Sequence, residues 1–546
     1  MKKAIAILLC IVAVLSLAAC GAAPSGNDTP SNNTPSNNTP SNNTPSNNTP
    51  SNNTPADNPG TSTRDTVYVG TDSDTGSLDP YVMSGNGVLI IRACYSQALW
   101  ENAEDGDSFS SKCVLAESVD TISDTEYLIH LRKGVTFSNG SEFKANDVLF
   151  TFNYVANETN RGSYIASVDV EKMVAEDDYT VRMFLKKYDK TQMVSLRSIP
   201  MLDEETFDPE TCGQRPIGTG PYVVTDYVVN SSVTLEARDD YWGEKPAIKK
   251  VVFKFIPEAS QKVNAIQTGD VDMLAVAPDN DAAYIDSLDN ARAIYKSCMN
   301  QVCLTYNACK GSPLESKEAR WAVSYAVNAQ GIIDVALAGN GQVAHVPFNA
   351  SAIDYSDDLK DLHDTYKTGY NMELAKKYAE ESGLVGKTVR LVTNGTDVYA
   401  TAAQIIEQAL KEIGVNAEVQ NYDQATVRNM IAGPDDWEVY VSWTSNPSEV
   451  GLDIIYSQIS KFNRCHFDHD EALFNSFKER GEELLGTSDE AKYHDLFKSY
   501  LKDFEDQCFV FGIADTNWIM AANESLQGVK NFGHAYDYVA DWYFVD

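Results

Sequence analysis

The sequence predicts an α/β protein of at least two lobes. Three observations carry that reading. From Asp65 to Asp546, about 480 residues have a globular composition, which is more than one hydrophobic core usually supports. Alternating apolar–polar runs of strand length are interleaved with runs of helical period along this whole stretch. Residues 387–422 read strand, helix, strand, a crossover expected to be right-handed and to build a parallel pair.

The chain opens with Lys2 and Lys3, then an apolar run from Ile5 to Leu17 broken only by Ser16. A membrane span needs about 20 apolar residues, so this run reads as a secretory signal over residues 1–19. Its end, Leu17-Ala18-Ala19-Cys20-Gly21, places small residues before a cysteine and resembles a bacterial lipobox. That resemblance implies cleavage before Cys20 and lipid attachment, with palmitate, at Cys20. More than one chain gives stable anchoring. Residues 20–64 follow as a tether of Ser, Asn, Thr and Pro with a repeated SNNTP unit. It carries almost no apolar side chain to offset the entropy of ordering. As a flexible coil of about 44 residues, its ends average roughly 35–40 Å apart.

In the globular part, "TVYVG" from Thr66 alternates like a strand. "TEYLIHLRKGVTF" alternates into a turn at Ser138-Asn139-Gly140. "SEFKANDVLFTFNYV" reads as a helix with Asn146 or Asp147 near its start. "YTVRMFLKK" is a strand, and two alternating runs meeting at Asn230-Ser231 form a hairpin. "IKKVVFKFI" is a strand, and "SQKVNAIQTGDVDML" is a helix stopped by Gly269 with a short strand after it. "CLTYN" is a strand. "SKEARWAVSYAVNAQGII" is one amphipathic helix, with Ala319, Val323, Ala326 and Val327 on one side and Ser316 as N-cap. "MELAKKYAEESG" is a helix ending at Gly383. In the crossover, Ile406, Ala409, Leu410 and Ile413 have helical spacing, and Gly414 caps the helix. "WEVYVSW", Trp437 to Trp443, is a third strand. Ligands in open α/β sheets gather beyond the carboxyl ends of strands, which points to the loops after Val392 and Trp443.

The net charge is −35, which argues against nucleic acid as a partner and against a polybasic membrane patch. Eight cysteines follow Cys20: Cys94, Cys113, Cys212, Cys298, Cys303, Cys309, Cys465 and Cys508. An exported chain permits disulfides, but no CxxC spacing suggests zinc. Core packing with at most one bridge among Cys298, Cys303 and Cys309 is the expectation. "RCHFDHDE", Arg464 to Glu471, gathers Cys465, His466, Asp468, His469 and Asp470, and the two histidines would share a face if they lay on a helix. A solvated helix start explains those residues more simply than a metal does. No GxSxG or HExxH pattern supports an exported hydrolase, and neither a cofactor nor a metal is expected.

"LIHLRKGVTFSNGSEFKANDVLFTF" resembles the signature region of the extracellular solute-binding proteins of ABC importers, family 5, the oligopeptide- and dipeptide-binding type. "GSLDP", "YSQALWE", "PIGTGPY", "ARDDYW", "EARWAVSYAVN" and "WEVYVSW" agree in order, from about Thr66 to Asp546. The resemblance implies a two-lobed clamshell of the class II periplasmic-binding-protein type with an extra inserted subdomain. Lobe I would comprise 65–101, 213–296 and 509–546, with the insertion at 102–212, and lobe II would run 297–508. It implies a monomer that is not an enzyme. Such a protein captures a small solute, with peptide leading and an oligosaccharide or nickel complex as alternatives, and delivers it to an ABC permease with ATPase subunits. It would face the extracellular side or a periplasm from its lipid anchor. A sensor of the same fold that hands nothing over is a further alternative. Ser84, Ser442, Trp443, Thr444 and Asn446 match positions that line the cleft. Peptide-binding members place an aspartate shortly after that Trp; here "SWTSNPSEVG" has no acid before Glu449.

Overall fold

Strand alternation and helix caps laid down by the sequence assemble around one large sheet. The computed structural model describes residues 63–82, 87–95, 98–102, 111–444, 449–530 and 539–545. Cys20, the tether, Ser84 and Asn446 lie outside them. The sheet has eleven strands. Ten lie in the order 416–421, 388–393, 439–444, 291–306, 510–523, 273–274, 66–71, 250–255, 232–237 and 222–228. Gly341–Val343 pairs with Val510–Asn523 off this path. A separate antiparallel sheet of four strands, Ala116–Ser123, Glu126–Leu131, Val174–Asp177 and Thr180–Phe184, packs beneath the helix Ala145–Glu158.

Two long antiparallel strands, Ala291–Tyr306 and Val510–Asn523, hold the centre. At one end, Ile294, Trp518 and Met520 pack with a core built from the N-terminal strands and the four-stranded sheet. At the other end, Val302, Leu304, Tyr306, Phe511 and Ile513 enter a core with the crossover helix. Between the two ends the register shifts, between Ser297 and Gln301. Beside this break, Gln301 Nε2 donates to the carbonyls of Val346 (3.1 Å) and Phe348 (2.7 Å) and to Asp515 Oδ1 (2.8 Å). Gly512 is required here, because a Cβ would meet Gln301 Oε1 at 2.4 Å and the Val346 carbonyl at 2.6 Å.

The crossover is parallel, with Thr388–Thr393 pairing with Asn416–Asn421 through the helix Asp397–Glu412. Gly269, Gly383 and Gly414 take the left-handed conformation after their helices. Ser316 caps its helix by accepting from the Ala319 N–H. That helix is not continuous, however. It ends at Ala326, and Asn328 caps a second helix, Ala329–Ala336, by accepting from the Gly331 N–H. The helix from Ala145 is entered from Lys144, not from Asn146 or Asp147; Asp147 sits at the third position and accepts the Lys144 N–H at 2.7 Å. The strand from Thr125 ends at Leu131, before the turn.

All eight cysteines after Cys20 are free thiols, so the bridge considered among Cys298, Cys303 and Cys309 is not made. Cys303 is wholly buried, and burial pushes its thiol pKa up to about 12. His466 and His469 precede the helix Glu471–Leu485 and do not share a helical face. His466 bonds to the Ile431 carbonyl, His469 faces Glu315, and Asp470 caps the helix through the Leu473 N–H. No helix among the described residues is long and apolar enough to cross a membrane.

One buried acid sets a pH dependence. Glu505 is 1% exposed, and neither carboxylate oxygen makes a normal hydrogen bond among the described residues. Burial raises its pKa well above 4.5. Above that pH the unfolded chain loses this proton while the folded chain keeps it, so the stability lost here grows as pH rises through the window. Glu505→Gln is therefore expected to raise the thermal midpoint by roughly 1–3 °C at pH 7.5 and to change it little at pH 4, as read by differential scanning fluorimetry.

Candidate functional site

The strand Val439–Thr444 brings together the most cleft-facing groups. One of its edges pairs with Gln301–Tyr306 along its whole length. Its other edge pairs with the crossover strand only at Val439 and Tyr440. Among the described residues, Val441 to Thr444 therefore present a strand edge with no strand beside it. The residues alternate across the sheet. Val439 and Val441 enter the crossover core, and Trp443 on the same face stacks on Tyr399 at 5.5 Å with 22° between the rings. Tyr399 belongs to the first turn of the helix that follows Thr393, so the ends of the two parallel strands meet at one aromatic pair.

Two cavities share Trp443. The larger, about 390 Å³, lies between the segment Ser163–Ser195 and the wall formed by Arg428, Tyr440, Thr444, Lys461 and Arg464. The smaller, about 190 Å³, lies between Asp279 and Trp518 on one side and Tyr399 and Asn340 on the other, with Cys298 and Thr516 of the long strands as its floor. Polar contacts join the segments on either side of these cavities. Asn340 Nδ2 donates to the Asp279 carbonyl at 2.9 Å, and Lys190 Nζ reaches Glu490 Oε1 at 2.6 Å. Ser488 Oγ donates to Asp124 Oδ2 at 3.1 Å.

The residues singled out from sequence fall in different places. Trp443 lines both cavities and Thr444 lines the larger. Ser442 is 2% exposed, opposite Cys303 in the neighbouring strand, and lines neither. Ser84 and Asn446 are outside the described residues. Glu449 has a positive φ of 58° and places its charge on buried Arg197, whose pKa is lowered by burial and partly restored by that acid. Tyr399, Asp279, Trp518, Arg428 and Arg464 also line the cavities, and the sequence reading did not place them there as a set. Of these, Trp518 is the one whose residue type offers a signal, since an aromatic ring suits stacking on a solute. The others are ordinary turn and helix residues in the sequence and meet only in three dimensions.

The site is thus two cavities around one aromatic pair, beside a strand edge that no described strand pairs. A family model described as bacterial extracellular solute-binding proteins, family 5 Middle, matches residues 112–460, and the chain belongs to that family. The chain is similar to the oligopeptide-binding protein AppA of Bacillus subtilis, 27% identical over 78% of this chain and 82% of AppA. It is also similar to heme-binding protein A of Haemophilus influenzae, 26% identical over 70% of this chain and 75% of that protein. The solved AppA structure from Bacillus subtilis, in complex with a nonapeptide, superposes with a TM-score of 0.72 at 22% identity. That match covers 89% of this chain and all of the AppA chain, and it shows the shared fold. Members of the family are non-enzymatic solute-binding components of ABC importers.

Proposed function

We propose that this chain is the lipid-anchored receiver of an ABC importer and that its solute is a short peptide. The observation that carries the peptide reading is the unpaired edge Val441–Thr444 beside Trp443. An extended peptide adds to such an edge through main-chain hydrogen bonds, and pockets take its side chains. The nonapeptide bound to AppA and that protein's name support the same reading. Lobe I is then 65–101, 213–296 and 509–546, lobe II is 297–508, and 102–212 is the insertion. The receiver acts as a monomer. Trp443 and Thr444 face the ligand, and the resemblance alone adds Ser84 and Asn446, which lie outside the described residues.

The mechanism is closure biased by ligand. A solute held by both halves has its full set of contacts only in the closed form, so its differential affinity shifts the population. The register break at Ser297–Gln301 is the proposed hinge of the long strands. Micromolar affinity, about −8 kcal/mol, captures solute and still releases it to a permease. A tether at Cys20 keeps the receiver at high local concentration beside that permease.

A second reading is a non-peptide solute, such as an oligosaccharide or a metal complex. It is favoured by the aromatic lining of Tyr399, Trp443 and Trp518 and by the heme-binding relative. Native mass spectrometry of the chain purified without refolding separates the two. A co-purified adduct that fragments to peptides supports the first reading, and a glycan or metal adduct supports the second. A clean apo mass, with no thermal shift against peptides or sugars, favours a sensor. Trp443→Ala is expected to weaken binding of the captured solute at least ten-fold in calorimetry, because it removes a wall common to both cavities. Cys20→Ala is expected to move the protein from the membrane fraction to the medium or periplasm, as read by immunoblot.

A further inference from the structure

One buried acid at the joint of the long strands lines neither of the two cavities. Asp515 is 9% exposed and lies opposite Gln301 in the ladder, beside the slip between Ser297 and Gln301. Its Oδ1 accepts from Gln301 Nε2 at 2.8 Å, and its Oδ2 accepts from the Ala350 N–H at 3.1 Å. The same Nε2 stands 3.1 Å from the Val346 carbonyl and 2.7 Å from the Phe348 carbonyl. Both of those residues are fully buried, and among the described residues neither carbonyl has another donor. A primary amide carries two hydrogens. While Asp515 is charged, three buried acceptors therefore share two hydrogens, and leaving one acceptor short is costly. Gln301 cannot relieve the shortage by turning its amide over, because that would aim Oε1 at the same carbonyls.

A single proton on Asp515 changes the count. A neutral carboxyl still accepts from Gln301 and Ala350, and its O–H is the third hydrogen for the acceptors gathered round Nε2. The groups facing Asp515 do not hold it ionised. Among the described residues no cation is bonded to it. The field of His345 lowers its pKa, but that ring is itself bonded to Asp361, with Nδ1 2.8 Å from Oδ1. Tyr355 and Cys298 also face the acid, and burial raises the pKa of each, so both stay neutral. Burial of Asp515 outweighs its two hydrogen bonds and the His345 field, and raises its pKa to about 6.

We propose that Gln301 and Asp515 form a proton-operated joint: one proton on Asp515 completes the hydrogen bonds that fasten residues 346–350 to the crossing strands, and its loss loosens them. The joint stands at the slip that serves as the hinge in the solute-binding reading above, and its effect on closure rests on that reading. An opened joint exposes Asp515 to water and returns it to the ordinary carboxylate range, so the fastened form holds the proton better. Opening becomes easier as pH rises from 3.8 through about 6. The hinge is stiffer in acidic surroundings than at neutral pH.

Hydrogen exchange of the full chain without added solute tests the joint, read by mass spectrometry at pH 5.0 and 7.5 with each rate divided by its intrinsic value. Peptides covering residues 344–352 carry the Ala350 amide, whose acceptor is Asp515 itself. Their protection is expected to fall about ten-fold between pH 5.0 and 7.5, while the strand Thr388–Thr393 changes less than about two-fold. Asp515→Asn, checked for native circular dichroism and melting, should abolish the difference at 344–352. Glu505→Gln removes a different buried acid, keeps Asp515 and should retain the difference. No response at 344–352 in the native protein, a response equally present in Asp515→Asn, or one lost in Glu505→Gln overturns the proposal and leaves the solute-binding reading standing. Solute capture is read separately in the native mass spectrum, so a failed joint and a failed receiver are distinguishable.

Discussion

The pairing of two long strands across two cores is the constraint on which the rest of the molecule depends. Ala291–Tyr306 and Val510–Asn523 are each longer than one core requires, and each contributes side chains to both ends. Main-chain hydrogen bonds make the pair continuous, but the ladder slips between Ser297 and Gln301. The smaller cavity lies at this slip, with Cys298, Asn300 and Thr516 in its floor. Gln301 sits between this slip and a second one, between Val302 and Cys303. Its amide ties the strand to the Val346 and Phe348 carbonyls and to Asp515, and Gly512 leaves the space for it. Burial raises the Asp515 pKa to about 6, while Gln301 and the Ala350 N–H oppose that shift. A buried polar node that is nearly fully bonded keeps one register of the crossing strands over its neighbours.

The contacts that close the cleft differ in kind from those that build each half. Within each half, Val, Leu, Ile and Phe side chains are withdrawn from water in large clusters. Across the cavities the contacts are few and polar: Asn340 to Asp279, Ser488 to Asp124, and Lys190 through its N–H to the Leu485 carbonyl, its ammonium to Glu490 and the same ammonium over the Tyr493 ring. Pairs with one exposed partner contribute little each. Glu490 is such a partner, with a side chain 67% exposed.

Much of the architecture was legible because local chemistry and final structure agree. Alternation gave the strands at Thr66, Lys250 and Val439, and the crossover paired in parallel as its pattern required. Caps were legible where a side chain acts on its own turn, as with Ser316. The misses have equally local causes. A continuous apolar face concealed the break at Val327, where Asn328 supplies a new cap and starts a second axis. Near Ala145, a side chain three residues inside the helix bonds back to the entering backbone, so the acid lies inside the helix and not at its cap. The three cysteines close in sequence diverge because alternate strand positions and a following turn point their sulfurs to different surroundings.

By itself, the sequence determined the α/β character, the strand that carries Trp443 and the family resemblance. Each of these is written in composition or in a period shorter than one element, so neighbouring residues suffice to express it. Tertiary structure alone decided which half of the chain faces Trp443. It placed Asp279 and Trp518 from one core against Tyr399 from another, and it put Arg428 beside Arg464 across a helix and a loop. It also turned Ser442 into the sheet interior while leaving its neighbour Trp443 at the cavities. The physical reason is that a binding cleft is a property of surfaces left over when separate cores have closed, and no local pattern encodes which surfaces will meet.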